Sequence, residues 1–205
     1  MIRVVKKPEE RRQEIVAIAR NLFLEKGYER TTLQDVMNKA AIGKGTVYHY
    51  FNSKEALLEA VVENMVDEYV TRLCAVLDNT EGSALERMQA LLIASNVTNE
   101  QEEMIERLHQ AGNMGLHVRL LALTLTKMAP LYADVIRQGC DENLFKSENP
   151  LETAEVLLAG IQFVTDSGFY PWKEDDLIRR LNAIPALVET QLGAAKGSFN
   201  FLKQK

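Results

Sequence analysis

Cysteine is scarce in this sequence, which contains only Cys74 and Cys140 among its 205 residues. The two lie far apart and neither belongs to a CxxC pair, whereas disulfide frameworks and zinc sites need several suitably spaced cysteines. Neither kind of site is therefore predicted, and we interpret both residues as thiols of the core. We also expect no metal site and no cofactor.

Long hydrophobic runs are absent as well, since no stretch approaches the roughly 18 uncharged apolar residues that suggest a membrane span. The N-terminus, MIRVVKKPEERRQE, is charged throughout and has neither an apolar core region nor a small-residue cleavage site. Those two features define a secretory signal peptide. We therefore expect a cytoplasmic protein that has no membrane partner.

Strand patterns are also lacking, whereas apolar residues recur at helical spacing along most of the chain. This spacing predicts an all-α fold of roughly nine helices. Three of them precede residue 52: one over 8–26, a short one capped by Thr31 or Thr32, and one over 44–50.

The remainder of the chain continues the helical pattern, beginning with a long helix over 55–77. Further helical runs are predicted at about 83–96, 100–110, 116–142, 151–167 and 173–192. Pro130 and Pro185 fall inside two of these runs. Each is expected to kink or split its helix, because proline removes a backbone donor and clashes with the preceding turn.

Charge is unevenly distributed along the chain. Residues 1–60 hold 11 lysines and arginines against 8 aspartates and glutamates, whereas the remainder holds 13 against 21. A basic N-terminal region on an acidic body weakly favours a module that binds nucleic acid while the body stays away from the phosphates.

The second and third predicted helices, with a glycine-containing turn between them, have the layout of a helix-turn-helix DNA reader. The third helix has one residue suited to burial, Val47, and otherwise displays a cation, hydroxyls and an imidazole, which suit phosphates and base edges. Gly45 lets the backbone approach the groove closely, and the methyl of Thr46 can meet a thymine methyl. Alternatively, Tyr48 and Tyr50 simply pack against the first helix.

The N-terminal sixty residues resemble the TetR family of transcriptional regulators, through IVAIARNLFLEKGYERTTL and the overlapping TTLQDVMNKAAIGKGTVYHYFNSKEALLEAV. The resemblance implies an all-helical homodimer, with a helix-turn-helix domain over 1–53 and an effector-binding and dimerisation domain over 54–205. Such a regulator binds a palindromic operator and is released by a small-molecule effector.

The resemblance also implies which residues face DNA: Thr32, Lys44, Gly45, Thr46, Tyr48, His49, Tyr50 and Lys54. Lys54 matches a phosphate-contacting lysine at the start of the linking helix, where the helix N-terminus can add amide donors. Gly43 departs from the family, because many members carry a Ser or Thr cap there. The basic N-terminal tail could add phosphate contacts or be a loose solubilising segment.

The C-terminal region gives weaker signals. An apolar effector pocket with a few polar groups is expected to be lined by His109, Met114, His117, Leu121, Met128, Phe163, Asp166 and Trp172, although most of these could belong to the core. The last two long helices are expected to pair across a two-fold axis. That would place two reading helices roughly 34 Å apart, about one turn of duplex.

The mechanism expected for such a regulator is a population shift, in which an effector lowers operator affinity by favouring a different spacing of the two heads. Three alternatives remain: an enzyme using His109, His117 or Cys140, a helical scaffold for protein partners, and a redox sensor using Cys140. The sequence contains no nucleophile motif, metal set or phosphate loop. The chain is therefore not expected to be an enzyme.

Overall fold

The computed structural model describes residues 7–95, 114–166, 168–170 and 172–202. Every regular element within these ranges is helical, which confirms the all-α fold. They contain α1 (Pro8–Lys26), α2 (Leu33–Ala40), α3 (Lys44–Tyr50), α4 (Lys54–Asp78), α5 (Ala84–Ala94), α6 (Met114–Asp141), α7 (Pro150–Thr165), α8 (Glu174–Leu192) and a 3-10 helix (Asn200–Leu202). The helix predicted over 100–110 lies outside the described residues.

Local signals account for several helix ends. α1 begins with Pro8 at its first position and ends at Lys26, where Gly27 adopts a φ of 85° that few other residues tolerate. Asn143, two residues after the end of α6, lies in the left-handed region at φ 59°, which asparagine tolerates better than most residues. These ends agree with the sequence-based helices to within one or two residues.

Pro130 and Pro185 lie inside helices that continue past them, so the predicted splitting of these helices does not occur. Tertiary packing offsets the lost backbone donor, because Ala129, Tyr132 and Ala133 are buried on both sides of Pro130 and Pro185 is itself buried. No helix in the described ranges combines the length and apolarity needed to cross a membrane.

The described residues form two compact units. The N-terminal unit contains residues 7–68 and 114–120, and the C-terminal unit contains residues 69–95 and the described part of 121–202. A domain boundary at residues 53 and 54 stays a prediction.

Each unit has its own hydrophobic core. In the N-terminal unit, Ile15 and Phe23 of α1, Val36 of α2 and Leu57 of α4 are completely buried. Burying each such side chain contributes roughly 1.5–3 kcal/mol relative to leaving it exposed. This packing stabilises α2 and α3, whose 8 and 7 residues are too few for an independent helix.

The core of the C-terminal unit is assembled from α4 through α8 and from Phe199, which is fully buried beyond the last long helix. Gly139 on α6 allows a close approach there, because a Cβ atom at this position would overlap the ring of Phe145. The chain therefore folds back against α6 directly after that helix ends.

Candidate nucleic-acid interface

The turn between α2 and α3 is a tight left-handed turn at Ala41, which has φ 53° and ψ 43°. The Ile42 amide donates to the Met37 carbonyl at 3.1 Å and so closes the C-terminus of α2. Gly43 then caps α3 in an extended conformation without a side-chain hydrogen bond. Although Gly43 replaces the usual Ser or Thr cap, α3 begins and ends at the residues that the sequence predicts.

One face of α3 is anchored in the core. Val47 has no exposed surface, and Tyr50 is half-buried against the N-terminal core. Tyr48 is 44% exposed, and Lys44, Gly45 and His49 also lie on the exposed face. The alternative prediction was that Tyr48 and Tyr50 pack against the first helix. Packing accounts for part of the Tyr50 side chain, whereas Tyr48 is exposed.

The exposed side chains of α3 contact one another only loosely. The Lys44 ammonium lies 5.4 Å from the centre of the Tyr48 ring, and the rings of His49 and Tyr50 meet edge to face at 4.9 Å. A Cβ atom at Gly45 would meet nothing within 4 Å. The exposed face of α3 is therefore unobstructed and can approach a groove of nucleic acid.

Thr32 has a structural role at the start of α2. Its hydroxyl accepts from the Asp35 amide at 3.1 Å, while the Asp35 carboxylate accepts from the Thr32 amide at 2.9 Å. Thr31 instead buries its hydroxyl, which donates to the Gly27 carbonyl at 2.8 Å. Thr32 is thus the capping residue of the two that the sequence offered.

Asp35 carries a stable negative charge beside the predicted contact surface. A hydrogen bond from Lys26, and then the amide and hydroxyl of Thr32, lower the pKa of Asp35 to about 2. The Lys26 ammonium lies 2.8 Å from the carboxylate. This pair fixes the end of α1 to the start of α2 and offsets a charge that would otherwise repel phosphate.

Lys54 is held in place at the first residue of α4. Its ammonium donates to the Tyr28 carbonyl at 3.0 Å and lies 4.0 Å from the centre of the Tyr28 ring. Burial, followed by the negative charges of Glu55 and Glu29, raises the pKa of Tyr28 to about 12. The tyrosine is therefore a neutral platform that positions the lysine charge.

The structure brings four of the predicted DNA-facing residues into one surface cleft: Thr32, Lys44, Tyr48 and Lys54. Gly45, Thr46, His49 and Tyr50 are not among the residues that line it. The cleft is also lined by Glu29, Thr31, Leu33, Gln34 and Met37. Gln34 was not predicted from the sequence to face DNA. Its position two residues after the cap of α2 places it on the exposed start of that helix. In the basic N-terminal tail, Arg3 and Lys6 lie outside the described residues, whereas Lys7 directly precedes α1 and Arg11 and Arg12 belong to it.

The described residues among those predicted to bind an effector belong to both units. His117 is buried in the N-terminal unit, whereas Met128 is buried in the C-terminal core. Leu121 is half-buried, and Met114 begins α6. His109 lies outside the described residues.

Phe163, Asp166 and Trp172 lie at the connection between α7 and α8. The Asp166 carboxylate accepts from the Gly168 amide at 2.7 Å, and the Trp172 indole donates to the Val164 carbonyl at 3.1 Å. These bonds shape the connection itself. An effector-binding role for the predicted residues remains a prediction.

A cavity of about 210 Å³ lies elsewhere, inside the C-terminal unit. Its walls are formed by Met88, Leu92, Tyr132, Ile136, Ala154, Leu157, Leu158, Ile161, Leu181, Ile184, Val188, Leu192, Phe199 and Leu202. None of the predicted effector-binding residues that the structure describes is among them. Within the described ranges, no group of three or more metal-ligating side chains is present.

Two family models match the chain. Residues 15–61 match bacterial regulatory proteins of the tetR family, and residues 94–187 match the Tetracyclin repressor-like C-terminal domain. The first match contains α2, the turn and α3, and the second contains α6 and α7. The two matches therefore fall in both halves of the chain.

Curated relatives and solved structures agree with these models. The HTH-type transcriptional repressor KstR2 of Mycobacterium tuberculosis is 27% identical over 152 residues, which cover 72% of this chain and 76% of KstR2. A TetR-family regulator from Mesorhizobium loti superimposes with a TM-score of 0.63 at 20% identity, covering 91% of this chain and 98% of its own. A transcriptional regulator from Cytophaga hutchinsonii gives a TM-score of 0.65 at 19% identity, with coverages of 88% and 96%.

Proposed function

Because this chain belongs to the TetR family and is a DNA-binding transcriptional regulator, we propose that it represses transcription as a homodimer on a palindromic operator. A small-molecule effector releases it from the DNA. In this proposal the chain acts in the cytoplasm and has no enzymatic activity.

The exposed face of α3 is the observation that carries the DNA-binding part of the proposal. Val47 fixes the helix to the core, so that Lys44, Tyr48 and His49 are presented outward without further rearrangement. Lys44 supplies a cation for a phosphate, and Tyr48 and His49 supply groups for phosphates or base edges. Gly45 leaves the backbone free to approach the groove.

Lys54 is proposed as a second phosphate contact beside α3. Its ammonium donates to the Tyr28 carbonyl at 3.0 Å and to the Glu29 carbonyl at 3.4 Å, and because a lysine has three donors, one is available to a phosphate. The N-terminus of α4 begins at the same residue and favours an anion there. Lys44 and Lys54 line one cleft and can therefore contact neighbouring phosphates of the same DNA strand.

The dimer is proposed to form through α7 and α8. Ten large hydrophobic side chains are exposed among the described residues, and six of them lie on these two helices. These six are Leu151, Val156, Phe163, Val164, Ile178 and Leu187. Exposed apolar surface concentrated in this way marks interaction sites on soluble proteins. A two-fold pairing of the patch would present two α3 helices to a palindrome.

The decisive experiment measures retention of the protein by fragments of its own upstream DNA, with competitor DNA and at two salt concentrations. We expect saturable binding to a palindromic fragment and a steep loss of affinity with salt. Lys44→Ala should weaken binding and reduce the magnitude of the salt slope by about one. Lys196→Ala is the matched control, because it removes the same charge from an exposed position in the C-terminal unit.

Two results would contradict the proposal. Equal retention of palindromic and unrelated fragments would contradict sequence-specific operator binding. An equal effect of Lys44→Ala and Lys196→Ala would contradict the assignment of α3 as the contact surface. Monomeric behaviour in sedimentation, at the concentrations where DNA is bound, would remove the dimer.

A further inference from the structure

The cavity of the C-terminal unit has a chemistry that restricts what it can bind. We propose that it is the effector site and that it takes an uncharged, largely apolar small molecule. Its role as an effector site depends on the proposed function, whereas the class of ligand follows from the walls alone.

Among the described residues that line the cavity, none has a charged side chain, and Tyr132 alone has a side-chain oxygen or nitrogen. The Tyr132 hydroxyl lies 2.9 Å from the Ser95 hydroxyl, which itself donates to the Leu91 carbonyl at 2.7 Å. The single hydroxyl hydrogen of Ser95 is therefore in use, so Tyr132 donates to Ser95. Its donor is already satisfied, and no cation or amide in the lining can compensate a ligand charge.

Burying an unpaired charge among such walls is strongly unfavourable, whereas transfer of apolar surface from water is favourable. An engineered apolar cavity of about 150 Å³ accepts benzene. The present cavity, at about 210 Å³, therefore suits a molecule somewhat larger than one aromatic ring. A bicyclic hydrocarbon or a comparable aliphatic group has the required size.

The walls of the cavity combine fully buried and half-buried side chains. Most of its walls are buried, including Ile136, Ala154 and Phe199. By contrast, Leu92, Leu157, Leu158, Ile161, Leu181 and Leu202 are only half-buried. The cavity therefore extends from half-buried side chains to fully buried ones, and an apolar molecule bound in it would contact both.

One wall is supplied by the segment that follows α8, through Phe199 and Leu202. This segment is held by Glu189, whose carboxylate accepts from the Gly197 amide at 2.8 Å and the Phe199 amide at 3.0 Å. The wall is therefore tied to α8 by a charge-assisted pair of hydrogen bonds. The position of this wall is thus fixed by the two hydrogen bonds that Glu189 accepts.

The test is a titration of the full-length protein with naphthalene and, separately, with 2-naphthoate, followed by ligand-observed NMR without DNA. The two probes share a ring system and differ in one carboxylate. We expect naphthalene to bind saturably and 2-naphthoate to bind about a hundredfold more weakly or worse. Equal affinity for the two probes, or no saturable binding of naphthalene, would overturn the proposal.

Two neighbouring residues of α5 offer a matched pair of variants. Leu92 lines the cavity, whereas Ile93 is 60% exposed and does not line it. Leu92→Gln should weaken naphthalene binding about tenfold because it adds a polar amide to the wall, and Ile93→Gln should leave the affinity unchanged. Equal effects of the two variants would place the bound probe on the surface and refute the site.

Ala154→Leu is a second variant, which fills the cavity with apolar atoms instead of adding polarity. We expect it to weaken naphthalene binding as well, and unchanged affinity in a folded Ala154→Leu protein would contradict the site. Failure of the proposed function is separate, because it would appear as absent operator retention while the naphthalene titration kept its result.

Discussion

The proposed DNA-reading surface and the cavity of the C-terminal unit are built in opposite ways. The first displays polar groups on α3, a helix of 7 residues fixed by one fully buried valine. The second is lined mainly by apolar side chains from four helices and from the segment that follows them. Substitutions at neighbouring positions of α3 can therefore change DNA binding and the stability of the fold separately. A substitution in the wall of the cavity is expected to change both ligand binding and stability.

The largest expected effect comes from Val47→Asp, which places a charge in the core of the N-terminal unit. We expect it to lower the free energy of unfolding by about 3–5 kcal/mol, because the carboxylate has no partner there. Tyr48→Asp, one position along, should leave stability nearly unchanged and abolish operator binding through repulsion of phosphate. Denaturant unfolding and DNA retention measure the two effects, and similar stability losses in both variants would contradict the assigned faces of α3.

Gly139→Ala tests the close packing of the C-terminal unit. The new methyl group would overlap the Phe145 ring, so either that ring or the chain after α6 must shift. We expect a loss of about 1–3 kcal/mol in the free energy of unfolding, as for other overpacked cores. Combining it with Phe145→Leu should recover part of this loss in a double-mutant cycle, and strict additivity would show that the ring is not the obstacle.

These two regions also differ in what the sequence could predict. The three N-terminal helices were predictable because their caps, turn and buried valine are local features: Thr32 and Asp35 lie three residues apart, and Val47 is the one apolar residue suited to burial on α3. The cavity was not predictable, because residues as distant as Met88 and Leu202 form it. His117 and Met128 were predicted to bind an effector because of their residue types alone. Which side chains surround them is set by tertiary packing, which the local sequence does not show. The same packing preserves the helices that contain Pro130 and Pro185.

Gly45→Ala provides the counterpart of the glycine substitution in the C-terminal unit, with the opposite sign. A Cβ atom at Gly45 meets nothing, so alanine should stabilise α3 by about 0.5–1 kcal/mol through its better helix propensity. We expect operator affinity to fall, because the methyl group keeps the backbone from the groove. A gain in both stability and affinity would show that α3 approaches DNA through other positions.

The smallest expected effect compares one capping box in each unit, Thr32 with Asp35 and Ser83 with Glu86. The pKa of Asp35 is lowered to about 2, chiefly by Lys26, whereas the pKa of Glu86 is lowered chiefly by the Ser83 amide. A lowered pKa in the folded state contributes stability that is present above the unfolded pKa. That contribution is lost as the pH falls towards the folded pKa.

The stability difference between the native chain and Asp35→Asn should therefore shrink as the pH falls from about 4 to about 2. Glu86→Gln should show the same direction of change. Added salt should weaken only the Asp35 effect appreciably, because salt screens the exposed Lys26 pair more than a local hydrogen bond. Thermal unfolding across this pH range at two salt concentrations measures both differences. Equal salt sensitivity would mean that the Lys26 charge contributes nothing to holding α1 against α2.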